Sequence, residues 1–239
     1  MMDNASSVAL SGQVARDRQM DVLANNIANL STTSFKGEGV VFATLVSTAS
    51  GTAVRYVQDA GTVRDWSQGP LNRTGNALDL ALQGQGFFEV QTPQGIRYTR
   101  DGRMKLDATG QLVTLEGNPV LGDGASPIAV PANTTDITIG EDGTLTTPTG
   151  SVGKLAVVNF DSLQAVAADT DGLYTTEQSA APATDAKVEQ GMLEGSNVQP
   201  ITEMTRLMQA SRAVGMAKSF QDNESDRHKT AIDRLAKTV

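Results

Sequence analysis

The chain has 239 residues, 4% aromatic side chains, no cysteine and a net charge of −8. That length supports one sizeable core, or two modest ones with an appended helical element, and the lack of cysteine excludes disulfides and thiolate metal sites. Residues 59–200 hold eight basic and eighteen acidic side chains, whereas 1–58 hold four of each and 201–239 hold seven basic against five acidic; this acidic middle excludes the basic footprint that nucleic acid requires. With so few aromatics, a core must rest on Val, Leu, Ile, Met and Ala. No run of 18 apolar residues predicts a membrane-spanning helix. The start, Met1-Met2-Asp3-Asn4-Ala5, shows neither a basic n-region nor an apolar h-region of an ordinary secretory signal.

The first helical pattern runs roughly from Ala5 to Leu30. Met20, Leu23, Ile27 and Leu30 recur at helical spacing on one face, and Arg16, Gly12 and Ala9 continue that face more weakly. Ser31-Thr32-Thr33-Ser34 ends it. Residues 36–70 mix Phe42, Leu45 and Val46 with Gly and Ser and read as an extended arm, with Trp66 anchoring it to the β-rich region. From 71 to 160 the pattern changes to short strands and turns. Leu78, Leu80 and Leu82 alternate with Ala77, Asp79 and Ala81. Pro93-Gln94-Gly95 reads as a turn before Ile96 and Tyr98, and Asp101-Gly102 as a hairpin turn before Met104-Lys105-Leu106. Ile137-Thr138-Ile139, Glu141-Asp142-Gly143 and Leu145 form another hairpin signal, and Leu155 to Phe160 a further strand. Residues 161–195 read as a connecting return.

Gly195-Ser196-Asn197 offers a helix N-cap, and Pro200 fits a first turn. Glu203 sits where the helix dipole favours an acid. Ile201, Met204, Leu207, Met208, Val214 and Ala217 then make an apolar stripe, which Ile232 and Leu235 resume beyond a polar stretch. Both ends of the chain are thus amphipathic helices without a nearby helical partner. Leaving such stripes in water costs about 25 cal/mol per Å², so the ends must cover each other or their counterparts on neighbouring molecules. The expected fold is mainly β, a small antiparallel barrel or sandwich, flanked by terminal helices (1–35 and 196–239) that pair as a coiled-coil layer. This is the layout of an assembly subunit; a secreted β-rich binding module on a helical oligomerisation stalk is the competing class.

Motifs that could carry chemistry are weak. Gly84-Gln85-Gly86 lacks the Lys-Ser/Thr of a phosphate loop, and Gly153-Lys154 lacks its spacing. Asp169-Thr170-Asp171-Gly172 has Ala180 where a calcium loop needs its bidentate acid. The single histidine, His228, has no evident catalytic partner. No catalytic, cofactor or metal residue is expected, and neither a small-molecule substrate nor nucleic acid.

Asp21-Val22-Leu23-Ala24-Asn25-Asn26-Ile27-Ala28-Asn29, with Thr32 and Phe35-Lys36-Gly37, resembles the N-terminal signature of bacterial flagellar rod and hook proteins. Thr74 to Phe88, then Tyr98 to Gly102, Gly110 to Thr114 and Gly117 to Gly122, are similar to that family's β-domain, and Gly191 to Val198 to its C-terminal signature. Leu193 to Val198 with Glu203-Met204 and Arg212 most resembles the proximal-rod branch; Ser211-Arg212-Ala213-Val214 stands where the distal branch, the alternative, carries Gln-Arg-Ala-Tyr. The resemblance implies a non-enzymatic rod subunit of the basal body, in the periplasmic span. It implies inner helices, an outer β-domain, and partners that are other rod subunits and further copies of the chain. It further implies passage through the flagellar type III export apparatus without a cleaved signal peptide. Two residues depart from the family pattern. Ser34 replaces a usual Gly, implying a turn without positive φ, and Met104 replaces a frequent Phe.

The candidate assembly residues are Met20, Leu23, Asn25, Asn26, Ile27, Asn29 and Leu30 in the first helix. In the second they are Ser196, Asn197, Val198, Ile201, Met204, Leu207, Met208 and Val214. Asn25, Asn26 and Asn29 are read as buried amides that set helix register, against the plainer reading that they cap a helix end.

Overall fold

A computed structural model describes residues 2–49, 52–131, 134 and 136–236. The chain divides into two compact units. One comprises Met1–Leu30, Glu38–Asp65 and Val198–Val239; the other comprises Ser31–Gly37 and Trp66–Asn197.

The first unit holds both helices, α1 (Met2–Ala28) and α2 (Pro200–Ala236), and a long antiparallel hairpin of β1 (Glu38–Ala49) and β2 (Thr52–Arg64). The span read as an extended arm is therefore largely a two-stranded ribbon. Its register shifts between Val41 and Phe42, opposite Gly61 and Asp59, a β-bulge that increases local twist. Helix α1 packs against α2 and against both strands. An isolated two-stranded ribbon is marginal in water, and α1 gives this one a packing partner. Helix α1 stops at Ala28, so Leu30 lies beyond it rather than on its stripe. Helix α2 begins at Pro200, whose missing N–H costs nothing at a first helical position. The Glu203 N–H bonds the Gln199 carbonyl, so the start falls at Gln199, three residues past the expected Ser196.

The second unit is antiparallel β throughout its pairings. Its main sheet has six strands in the order Ala167–Ala168, Leu173–Thr175, Gly95–Thr99, Phe87–Thr92, Val157–Asn159, Ala181–Pro182. Shorter two- and three-stranded ladders complete the unit, and no closed barrel is found among the described residues. Leu80, Leu82, Phe88, Val90, Leu112, Val120, Leu145 and Leu155 build one core cluster. Phe87, Phe160 and Tyr174 build a second, against which Trp66 packs edge-on to Phe87 and Tyr174.

Three local expectations need correction. Asp101-Gly102 does not close a hairpin: Gly95–Thr99 pairs with Phe87–Thr92 and Leu173–Thr175, while Met104–Leu106 pairs with Leu112–Thr114. Gly102 is needed instead because a Cβ there would lie 1.6 Å from the Leu80 carbonyl oxygen. The stretch 161–195 is more than a return, since three of its segments are strands of the six-stranded sheet. Ser34 does adopt positive φ, at 56°, against the expectation drawn from its replacing a glycine.

Candidate functional site

Two buried polar hubs and one exposed ridge stand out among the described residues. The first hub is Asn26 in α1. Its Nδ2 donates to the Glu38 carbonyl at 2.8 Å while its Oδ1 accepts from the Glu38 N–H at 2.9 Å. That reciprocal pair reproduces a strand ladder with a side-chain amide. Nδ2 also reaches Glu203 Oε2 at 3.3 Å, and Glu203 is itself buried and paired with Arg206. Asn26 thus ties the end of α1 to the start of β1 and the start of α2. Asn25 and Asn29 do something else: Asn29 Nδ2 donates to the Asn25 carbonyl and to Asn25 Oδ1, at 2.9 and 3.0 Å. Asn25 is exposed, and the pair spans the last turn of α1.

Leu23 is buried on α1 together with Ala15 and Val22, and Met20, Ile27 and Leu30 are half-buried. On α2 the stripe read as one face is split in two. Glu203 and Ala210 are buried; Leu207, Val214 and Ala217, at alternating spacings of four and three, are half-buried on the same face. Ile201, Met204 and Met208 lie on the adjoining solvent side of the helix, at 82%, 49% and 54% exposure, and Met216 and Phe220 follow at 67% each. The division has a simple cause. Apolar residues at 201, 204, 207, 208 and 214 span more than the roughly 100° arc that one neighbouring helix covers. Met204, Met208, Arg212, Met216 and Phe220 lie four apart and form an inclined ridge, the kind that fits the groove of another helix.

The second hub was not foreseen from the sequence. Glu194 and Lys36 are fully buried and Arg100 nearly so. Glu194 Oε1 accepts from Lys36 Nζ at 2.6 Å and from the Gly69 N–H at 2.9 Å; Oε2 accepts from Arg100 Nε at 2.9 Å. Lys36 also donates to the Ser67 carbonyl, and Arg100 to the carbonyls of Gly84 and Gly86. The Gly84-Gln85-Gly86 turn therefore wraps a guanidinium. Ser34 donates its N–H to the Glu194 carbonyl and its hydroxyl to the Arg100 carbonyl, at 2.8 and 2.7 Å, which holds it at the left-handed φ. Asn197 Oδ1 accepts from the Gly37 N–H, and its Nδ2 donates to the Ser67 carbonyl. Ser196 is buried and Val198 half-buried. Asn197 thus belongs to this hub. Gly69 fits because a Cβ there would meet the Gly195 carbonyl oxygen at 2.1 Å. The legible signal was a lysine and a glutamate, each between a large apolar residue and a glycine, in the two terminal signatures.

The remaining motifs have structural partners. Asp169 bonds Arg97 and the Thr170 N–H, which holds its carboxyl below the ordinary value. The side chain of His228 lies outside the described residues. Among the described residues no metal-binding cluster is found, and no helix is long and apolar enough to cross a membrane.

Three family models match the chain in order: the flagella basal body rod protein over residues 7–36, the flagellar hook protein FlgE/F/G D1 domain over 81–147, and the flagellar basal body rod FlgEFG protein C-terminal region over 189–217. The flagellar basal-body rod protein FlgF of Caulobacter vibrioides is 42% identical over 99% of both chains. The chain belongs to the flagellar basal-body rod protein family. FlgF of Rhizobium meliloti is 34% identical over 98% of both chains, and FlgG of Buchnera aphidicola subsp. Schizaphis graminum is 32% identical over 95% of this chain and 98% of its own. Membership makes the chain a structural subunit of the flagellar rod, not an enzyme, and implies assembly with other flagellar proteins.

Proposed function

We propose that this rod subunit occupies the proximal part of the rod and joins it through its terminal helices. In this reading α1 and α2 pair as a coiled coil through the Glu203, Leu207, Ala210 and Val214 face. The ridge from Ile201 to Phe220 then packs into helices of neighbouring subunits. The observation that carries this is a helix with one edge buried within its own unit and a row of large apolar side chains left in solvent on another, the kind of exposed patch that marks a protein–protein contact. Met20, Leu23, Asn26 and Ile27 support the helix pair from the other side, Asn25 and Asn29 close α1, and the acidic β-rich unit forms the outer body. Summed over many subunits, burial of such ridges gives the rod stiffness without any single strong bond. The chain reaches the periplasmic span through the type III export apparatus, without a cleaved signal peptide.

The test is a full-length M208S/F220S variant in a strain lacking its own copy. The variant is expected to fold, by circular dichroism, and to be missing from purified basal bodies, leaving cells non-motile. Normal motility would reject the ridge as an assembly face.

A further inference from the structure

Three of the five apolar residues on the exposed α2 ridge are thioethers: Met204, Met208 and Met216. The β-unit core, by contrast, is built of Leu, Val, Ile and Phe, and its one buried methionine, Met104, is 4% exposed. An exposed methionine sulfur is open to two-electron oxidants, whereas a buried one is shielded. Met208 and Met216 flank Arg212 on the same inclined row, so modification of either changes one contiguous surface.

We propose that Met204, Met208 and Met216 are a peroxide-sensitive modification site that decides whether a free subunit can be incorporated. A sulfur lone pair attacks one oxygen of hydrogen peroxide. The S–O bond forms as the O–O bond breaks, and the departing hydroxide takes the proton from the transferred oxygen to leave as water. The sulfur is oxidised to a sulfoxide and the peroxide is reduced. The product is polar and cannot be buried against an apolar groove without a hydrogen-bond partner. This inference rests on the ridge being the assembly face. It adds that the site is open only before incorporation, because a packed neighbour covers the same sulfurs.

The test begins with the purified full-length chain and hydrogen peroxide, read by peptide mass spectrometry. Met204, Met208 and Met216 are expected to oxidise about tenfold faster than Met104, following exposure. Cells lacking their own copy and producing the wild-type chain are then pulsed with peroxide, and incorporation is measured by quantitative mass spectrometry of basal bodies. Incorporation is expected to fall about tenfold per sulfoxide, the loss of one buried thioether's transfer energy, and to recover on expression of methionine sulfoxide reductases. An M204L/M208L/M216L chain, whatever its untreated level, is expected to be insensitive to the pulse. Equal peroxide sensitivity of the two chains, or unchanged wild-type incorporation with the three sulfurs oxidised, overturns the switch. Normal incorporation of an untreated Phe220→Ser chain overturns the assembly-face reading instead.

Discussion

Replacing Glu194 should damage the β-rich unit more than replacing Lys36, although the two face each other at 2.6 Å. The hub holds two cations and one carboxylate, so it carries a formal excess of one positive charge. Glu194→Gln raises that excess to two and sets an amide N–H₂ against donors from Lys36, Gly69 or Arg100. Stranding buried charges by removing their partner costs about 3–5 kcal/mol. Lys36→Met leaves Glu194 paired with Arg100 and neutral overall, and the Ser67 carbonyl still accepts from Asn197 Nδ2 at 3.1 Å. Its cost is limited to lost hydrogen bonds, about 1–3 kcal/mol. Trp66 is the single tryptophan and packs on Phe87 and Tyr174, so its fluorescence reports this unit during urea unfolding. With a slope of about 2 kcal/mol per molar urea, the midpoint should drop by about 2 M for Glu194→Gln and about 1 M for Lys36→Met. A Lys36→Met midpoint at or below that of Glu194→Gln would refute the charge argument.

Gly102→Ala should cost about 3 kcal/mol or more, since overpacking against backbone cannot be relieved by a rotamer change; an unchanged thermal midpoint would show that the Leu80 contact yields. Asn26→Leu should loosen α1 from β1 by about 2–4 kcal/mol, through loss of the reciprocal Glu38 bonds and of the bond to Glu203 Oε2, which leaves Glu203 its Arg206 pairing through Oε1. It should also prevent incorporation into rods, whereas normal motility with that variant would remove Asn26 from the assembly role. Burial raises the Glu89 pKa above 4.5, so its ionisation opposes folding: its contribution is fully present below the unfolded value and lost as pH rises through the folded one. Glu89→Gln should therefore raise the thermal midpoint at neutral pH and lose that advantage in acid, and a variant equally stabilised at both pH values would contradict the cause.

What the sequence determined by itself was two terminal helices around a β-rich middle, and the family. Apolar spacing placed both helices, turn residues marked the β-rich middle, and the terminal signatures pointed to the rod proteins. The Pro93-Gln94-Gly95 and Glu141-Asp142-Gly143 turns lie where read, because a glycine at positive φ closes each locally. Tertiary structure alone decided which side of each pattern is inside. Periodicity gives an apolar arc on α2 but not the direction of its partner, so Glu203 is buried and Ile201 exposed, the reverse of what side-chain polarity suggests. It also decided that Asp101-Gly102 is a close backbone approach rather than a hairpin, since Leu80 is distant in sequence. Lys36, Arg100 and Glu194 come from three separate segments. Their mutual burial follows from long-range closure of the chain, which no local spacing encodes.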